Sequence, residues 1–483
     1  MHNVSFALLA LLAIPVAASS QLINLKTVPV AAGDQFLLFP SQTLGLGGVS
    51  IAVDDSLYDP LVNPAKGGRL PDTRLVMSPT VYAITRGNGH AVSVPVAMLG
   101  RWGRSFGGGG VALQQLSARK RIDTRPFARS RGDQPFTTTL SSRSNRNLYA
   151  FAFGGRTLPG SRVSLGASAF AADLQALDGV DLLYASALDV EQSGYLADVR
   201  VGMVADLEHG RTFEALLLFN RLSMSHEVTY FNEERRFTTD PETVIQVNLD
   251  LTNTWGAHLG YTQALNDELR IGGILTANVR SHPKIPNYEL ANIPRDPGTS
   301  WAYNIGIGIS NRRGPAILAV DIIYEPVRLH TWAEAAQPVT AASGVTIPTG
   351  AKTVDNRFWF SNAIMRIGLG HDVGIATLRG GLELRSFNYR LRQRDLVLGE
   401  SRTQSEQWME WTPSLGATIR LPEFELHYLG RLTLGTGQPG VAFDGFQRQG
   451  VAQASFIPAP SGPLGLAGVR VWTQQIAISM PLR

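Results

Sequence analysis

The chain of 483 residues contains no cysteine, which excludes disulfides, thiolate metal sites and thiol nucleophiles. It has no strong excess of charge either: 43 Lys and Arg stand against 39 Asp and Glu, a balance that makes no electrostatic case for nucleic acid. Beyond the N-terminus no apolar run reaches ~18 residues, so no membrane-spanning helix is expected. Motifs that carry chemistry are missing as well. The nine histidines are scattered, without a metal-ligand spacing such as H-E-x-x-H, and there is no G-x-S-x-G nucleophile elbow or phosphate loop. The sequence therefore predicts no enzyme, no metal and no cofactor. It is not a disordered chain, since 44% of its residues are hydrophobic.

Residues 1–20 read as a signal peptide. Phe6 to Ala18 is an apolar run broken by Pro15, followed by small residues with cleavage positions after Ala18 or Ser20. It is shorter than the ~20 residues a spanning helix needs. His2 is its only basic group before the run. An exported chain without a later stop-transfer helix is periplasmic, secreted, or built into the outer membrane as a barrel.

The pattern from about residue 75 onward favours the barrel. The hydrophobic period is two. Ile245, Val247, Leu249, Leu251, Trp255, Leu259 and Tyr261 share one face, while Gln246, Asn248, Asp250, Thr252 and Thr254 share the other. Trp301, Tyr303, Ile305, Ile307 and Ile309 alternate with Asn304, Gly306, Gly308 and Ser310. Such runs exceed the ~5–6 residues of a globular strand. They suit tilted strands that cross a bilayer in ~9–11 residues with apolar side chains outward and polar ones inward. Aromatics near strand ends (Trp255, Tyr261, Trp301, Phe358, Trp359, Tyr428, Trp472) suit interfacial girdles.

Connections alternate between short and long. Tight turns fall at 155–160, 206–211, 265–267, 311–314, 371–373 and 421–422. Long loops are expected at 118–145, 174–192, 227–241, 282–299, 328–356, 393–407 and 436–467. Membrane barrels connect strands in this way. Segmentation from residue 75 gives 16 candidate strands. The last one runs from Val469 to Leu482 at the chain end.

Residues 21–70 do not read as strand. Leu44 to Asp55 is L-G-L-G-G-V-S-I-A-V-D-D, and Leu57 to Gly68 is L-Y-D-P-L-V-N-P-A-K-G-G. Glycines at 45, 47 and 48 allow tight turns, and Asp54, Asp55 and Asn63-Pro64 are turn and cap formers. The glycine stretch (Gly45, Gly47, Gly48), the Asp54-Asp55 step and the Asn63-Pro64-Ala65 signature resemble the N-terminal hatch of the FadL/PorV group of outer-membrane proteins. Lys66-Gly67-Gly68 departs from that group's usual glycine followed by an apolar residue. The resemblance implies an all-β fold: a transmembrane antiparallel β-barrel of 14 strands (16 being the alternative), with residues 21–70 as a hatch in its lumen and residues 71–483 as the barrel. It also implies a cell outer membrane location. Two functions follow from it. One is transport of long-chain fatty acids or other hydrophobic small molecules, and the other is a PorV-like secretion role that binds exported cargo or a partner protein.

Charged residues on the polar strand faces are expected to pair across the lumen and with the hatch, among them Asp198, Arg200, Asp206, Arg270, Arg280, Asp321, Glu325, Arg366, Arg379, Glu383 and Arg385. The basic loop at 118–146 suits contact with outer-membrane lipids, including lipopolysaccharide. The weakly charged loop 436–467 carries Phe443, Phe446, Phe456 and Ile457 and is a candidate capture site for a hydrophobic ligand.

Overall fold

The structure is a computed structural model and describes residues 39–84, 89–124, 137–176, 189–231, 243–281, 298–335, 338–439 and 466–482. Its strands follow in chain order: β1 (Thr73–Met77), β2 (Thr80–Ile84), β3 (Gly89–Trp102), β4 (Ser105–Thr124), β5 (Thr137–Thr157), β6 (Val163–Leu174), β7 (Asp189–Leu207) and β8 (Arg211–Phe231). Then come β9 (Thr243–Ala264), β10 (Leu269–Ser281), β11 (Gly298–Arg313), β12 (Ala316–Glu334), a two-residue pair β13 (Val339–Thr340) and β14 (Thr346–Ile347), and β15 (Lys352–Val373). The last four are β16 (Ala376–Asp395), β17 (Glu400–Arg420), β18 (Glu425–Pro439) and β19 (Leu466–Leu482).

Every barrel strand pairs antiparallel with its chain neighbours. The ring closes where Thr73 on β1 lies opposite Leu482 on β19. β1 and β2 are two halves of one strand, since both pair with β3 and with β19. They are interrupted at Ser78-Pro79, where proline has no N–H to give the ladder. Counting that strand once and leaving aside the separate β13–β14 hairpin gives 16 strands. The family resemblance implies 14, and the barrel instead has the number that strand segmentation gives.

Side chains alternate across the wall. Ile245, Val247, Leu249, Leu251, Trp255, Leu259 and Tyr261 all face outward and are exposed, as are Trp301, Ile305, Ile307 and Ile309. An outward apolar belt on a closed barrel, whose backbone groups are satisfied between strands, is the arrangement a bilayer demands. No helix among the described residues is long and apolar enough to cross a membrane.

Three expectations change. The loop placed at 393–407 is instead a four-residue turn between β16 and β17. Asp395 Oδ1 accepts from the backbone N–H groups of Val397 (2.9 Å) and Leu398 (2.8 Å), and Gly399 supplies the left-handed residue at φ 74°. The loops at 118–145 and 328–356 likewise shrink, because β4, β5, β12 and β15 run on well past the apolar belt. Beyond the bilayer the outward face meets water, so the outward-apolar pattern ends while pairing continues, and inward residues such as Tyr389 and Leu391 stay buried. Finally, Phe358 does not join the outer girdle. It faces inward and is buried, while its neighbour Trp359 faces out.

Candidate functional site: the plugged lumen

Inside the wall at the tight-turn end lie residues 39–70. Thr43–Leu46 forms a 3-10 turn that ends at Gly47 and Gly48, whose φ values of 75° and 82° suit glycine. Asp55 is buried and organises what surrounds it. Its carboxylate accepts from Ser41 Oγ (2.8 Å), Gln42 N (2.6 Å), Thr43 N (3.2 Å) and Leu57 N (3.2 Å). A helical turn, Asp59–Val62, and a 3-10 helix, Pro64–Arg69, follow. Asn63 caps the latter, its Oδ1 accepting from Ala65 N at 3.2 Å, and Pro64 opens it. Ala65 is wholly buried. The eight residues singled out in the N-terminal segment therefore lie on one compact insert, with Gly45, Gly47, Gly48, Asp54, Asp55, Asn63, Pro64 and Ala65 all in the lumen.

The insert touches the wall where the wall has no side chains. A Cβ added at Gly166 would stand 2.6 Å from the Pro64 carbonyl carbon, one at Gly272 2.9 Å from Ile51 O, and one at Gly416 3.0 Å from Gly45 Cα. Gly368 and Gly381 meet the backbone of Leu46 and Gly47 in the same way. These inward glycines belong to β6, β10, β17, β15 and β16, so they form a collar around the insert.

Polar groups hold the insert within the collar. Asp321 Oδ2 accepts from Ser50 N (2.7 Å) and Ile51 N (3.2 Å), Ser310 Oγ donates to Ala52 O (2.8 Å), and Ser414 Oγ accepts from Gly47 N (3.0 Å). Arg379 donates to Gln42 Oε1 at 3.0 Å. Asp54 pairs with Arg270 and, at 3.5 Å, with Arg69, which in turn pairs with Asp206. Arg200, fully buried, grips Asp198 at 2.7 Å and donates to Val62 O at 3.0 Å. Lys66 bridges Asp59 (3.4 Å) and Glu214 (3.2 Å).

Charge shifts follow from this crowding. Burial pushes the Asp59 carboxyl up to about 7, opposed by the Lys66 ammonium and reinforced by Asp54 and Asp55. Burial would lower Lys66, but Asp59 and Glu214 raise it and keep it charged. Burial would raise Asp54, yet Arg270, Lys66 and Arg69 hold it below the usual carboxylate range.

The lumen has two unlike walls. On β3 to β8 its inner face is largely apolar, broken by buried polar side chains such as Gln114, Asn147, Asp198, Arg200 and Asn220. Leu99, Phe106, Phe151, Phe153, Phe170, Leu174, Leu196, Leu222 and Met224 form one cluster with Phe39, Leu61 and Leu70 of the insert, and Phe39 meets Phe151 edge-on at 4.8 Å. The expectation of a polar inner face holds there only in part: Asp198, Arg200 and Asp206 of β7 do face the lumen and the insert, but most of their neighbours are apolar. The signal was available in the sequence, because β5, β6 and β8 carry apolar residues at consecutive positions (Tyr149 to Phe153, Ala169 to Ala172, Ala215 to Phe219) rather than at alternate ones. The opposite wall is charged. Arg366 pairs with Glu383 at 2.7 Å, and Glu325 is held by Arg385 (3.5 Å) and Asn362 (3.2 Å). Above it an aromatic patch of Phe358, Phe387, Tyr389 and Leu391 is buried.

Between the two walls lies Arg280 on β10, opposite Thr254 on β9 and Ser300 on β11. Among the described residues its Nε has no hydrogen-bond partner, nor do the hydroxyls of Thr254 and Ser300 or either amide atom of Asn278. A cavity of about 10 Å³ between the insert and β16–β18, lined by Gln42, Arg379 and His427, has room for about one water molecule. Phe443, Phe446, Phe456 and Ile457 lie outside the described residues, as do residues 1–38 and residues 125–136 of the basic loop.

A closed antiparallel barrel with an apolar outer belt, a plugged interior, and long connections at one end is an outer-membrane barrel. No family model matches the chain, and no curated protein matches it in sequence. Among solved structures it is similar to a FadL homologue of Pseudomonas aeruginosa, with 10% identity, TM-score 0.43, and 92% of this chain and 99% of that one covered. It is similar also to the toluene transporter TodX of Pseudomonas putida, with 9% identity, TM-score 0.42, and coverage of 91% and 97%. The ferric enterobactin receptor PfeA of Pseudomonas aeruginosa aligns at 9% identity and TM-score 0.35, with coverage of 85% and 80%. Barrels named for unlike cargo thus align with this chain, and the likeness is one of overall architecture.

Proposed function

We propose that this barrel carries hydrophobic or amphipathic small molecules across the outer membrane, long-chain fatty acids among them. The observation that carries the reading is the apolar inner wall of β3 to β8, continuous with Phe39, Leu61 and Leu70 of the insert. A water-filled pore has no use for such a wall, since apolar area facing water costs ~25 cal/mol per Å². Phe170, Leu174, Leu196 and Leu222 are buried as they stand, so an acyl chain laid along them would take the place of part of what now packs on that wall.

A polar head group is served by the same geometry. Leu222 on β8 lies opposite Thr252 on β9, so the apolar wall abuts the strip around Arg280. Among the described residues Arg280 has no ion-pair partner. The neighbouring Glu325 is already held by Arg385 and Asn362. A carboxylate beside Arg280 would complete a charge-assisted pair, worth ~1.5–3 kcal/mol. Passage to the periplasmic side then requires the insert to move, breaking both its polar latches and its apolar contacts with the wall.

Uptake into liposomes tests this reading. Vesicles containing the protein should take up oleate and oleyl alcohol faster than empty ones, and Arg280→Gln should slow oleate more than the alcohol. Uptake equal to that of empty vesicles for both probes would refute the transport reading. A purified barrel that holds no lipid and instead retains a secreted protein would replace it with the secretion-associated role.

A further inference from the structure

At the loop end the outward faces of β12, β15 and β16 change character within a few residues. On β12 the exposed series Leu318, Ile322, Tyr324 gives way to Arg328 and His330. On β15 the series Leu369, Met365, Trp359 gives way to Arg357, and the outward face of β16 ends in Arg390, Arg392 and Arg394, all exposed. Tyr324 and Trp359 therefore mark the boundary of the apolar belt, and the cations begin just beyond it.

The register draws these cations together. Arg390 lies opposite Trp359, and Arg392 directly opposite Arg357. His330 lies opposite Arg357, and Arg328 opposite Trp359. The acid within this group is Asp355, and it is already shared by His330 (3.2 Å), Lys352 (3.3 Å) and Arg357 (3.5 Å). Among the described residues Arg390, Arg392 and Arg394 have neither an ion pair nor a side-chain hydrogen bond. On the far side each faces a hydroxyl residue of β17: Ser405, Thr403 and Ser401.

Like charges directly opposite across a ladder repel; Arg357 has only a share of Asp355, which also serves His330 and Lys352, and among the described residues Arg392 has no acid at all. A phosphate between them would relieve the repulsion. Guanidinium forks bind phosphate oxygens two at a time, and flanking hydroxyls add further donors. The height of the patch selects the source, because groups just beyond the aromatic boundary at the loop end sit among the head groups of the outer leaflet.

We propose that the outer face of β15 and β16, through Arg357, Arg390, Arg392 and Arg394, binds the phosphate groups of the phosphorylated glycolipid that anchors lipopolysaccharide. This site is separate from the lumen and from the basic loop at 118–146, and it does not depend on what the barrel transports.

The test uses the full chain in phosphatidylcholine bicelles doped with bisphosphorylated lipid A, with retained lipid counted by mass spectrometry after washing. The triple variant R390Q/R392Q/R394Q, altered only at exposed positions, should retain about tenfold less lipid A than the unaltered protein. The R390K/R392K/R394K variant should fall between the two. Dephosphorylated lipid A should be retained poorly by all three. Equal retention by the glutamine variant, equal retention of the dephosphorylated lipid, or equal retention of phosphatidylglycerol would each overturn the assignment. If the triple variant fails to insert, R392Q alone gives the reading, with the same two directions of outcome.

Discussion

Gly381→Ala adds a single methyl group on the lumen face of β16. That methyl would stand 2.6 Å from Gly47 Cα and closer still to Gly47 N and the carbonyl carbon of Leu46. Ordinary contact begins at 3.4 Å, so the turn at 46–47 must retreat by at least 0.8 Å. All three obstructing atoms are backbone, and no rotamer change relieves them. Overpacking of this kind costs ~1–3 kcal/mol, which corresponds to a rise of about 5- to 150-fold in the population with the insert displaced. Gly380→Ala is the control. It faces lipid, its nearest neighbour being Leu415 Cδ2 at 4.0 Å. In planar bilayers Gly381→Ala should raise the frequency of open events, and hydrogen exchange should speed up over residues 43–48. Gly380→Ala should match the unaltered protein in both measurements. If the two alanine variants behave alike, the collar does not hold the insert and the argument fails.

Three further outcomes are expected. Arg200→Met strands the Asp198 carboxylate in the lumen wall and should cost ~3–5 kcal/mol in unfolding measurements, with Asp198→Leu added on top recovering most of the loss; a single variant no worse than a surface change would count against the buried pair. Leu217→Arg, on the lipid face at 64% exposure, should cost ~2–4 kcal/mol in folding into bilayers, and a neutral result would mean that this face does not meet lipid. The Asp59 carboxyl, raised to about 7 in the docked insert, binds its proton more tightly there than when displaced, so docking is favoured below about pH 4 and weakens as pH rises from about 4 to 7. Exchange protection over residues 57–66, corrected for the intrinsic rate, should fall across that window and become flat in Asp59→Asn; protection that rises with pH would contradict the assigned direction.

Alternation by itself determined the wall. Because a strand shows opposite faces to lipid and lumen at every step, Ile245 to Tyr261 and Trp301 to Ile309 could be oriented from residue types alone, and counting such runs gave 16 strands. The insert was visible as a break in that rhythm, with Gly47, Gly48, Asp55 and Asn63 marking turns and caps whose requirements are local. Tertiary structure decided the rest. Gly381 meets Gly47 across more than 300 residues of chain, and nothing local in either segment announces a partner. The apolar inner wall arises because β5, β6 and β8 are curved shut beside one another, so residues apolar on both faces serve lipid on one side and the lumen on the other. Arg394 fell in the loop expected at 393–407, and Arg390 and Arg392 at the end of the strand before it, because a strand that outruns the bilayer no longer turns apolar side chains outward. Only pairing with β15 and β17 set them in rank, with Arg357 opposite Arg392.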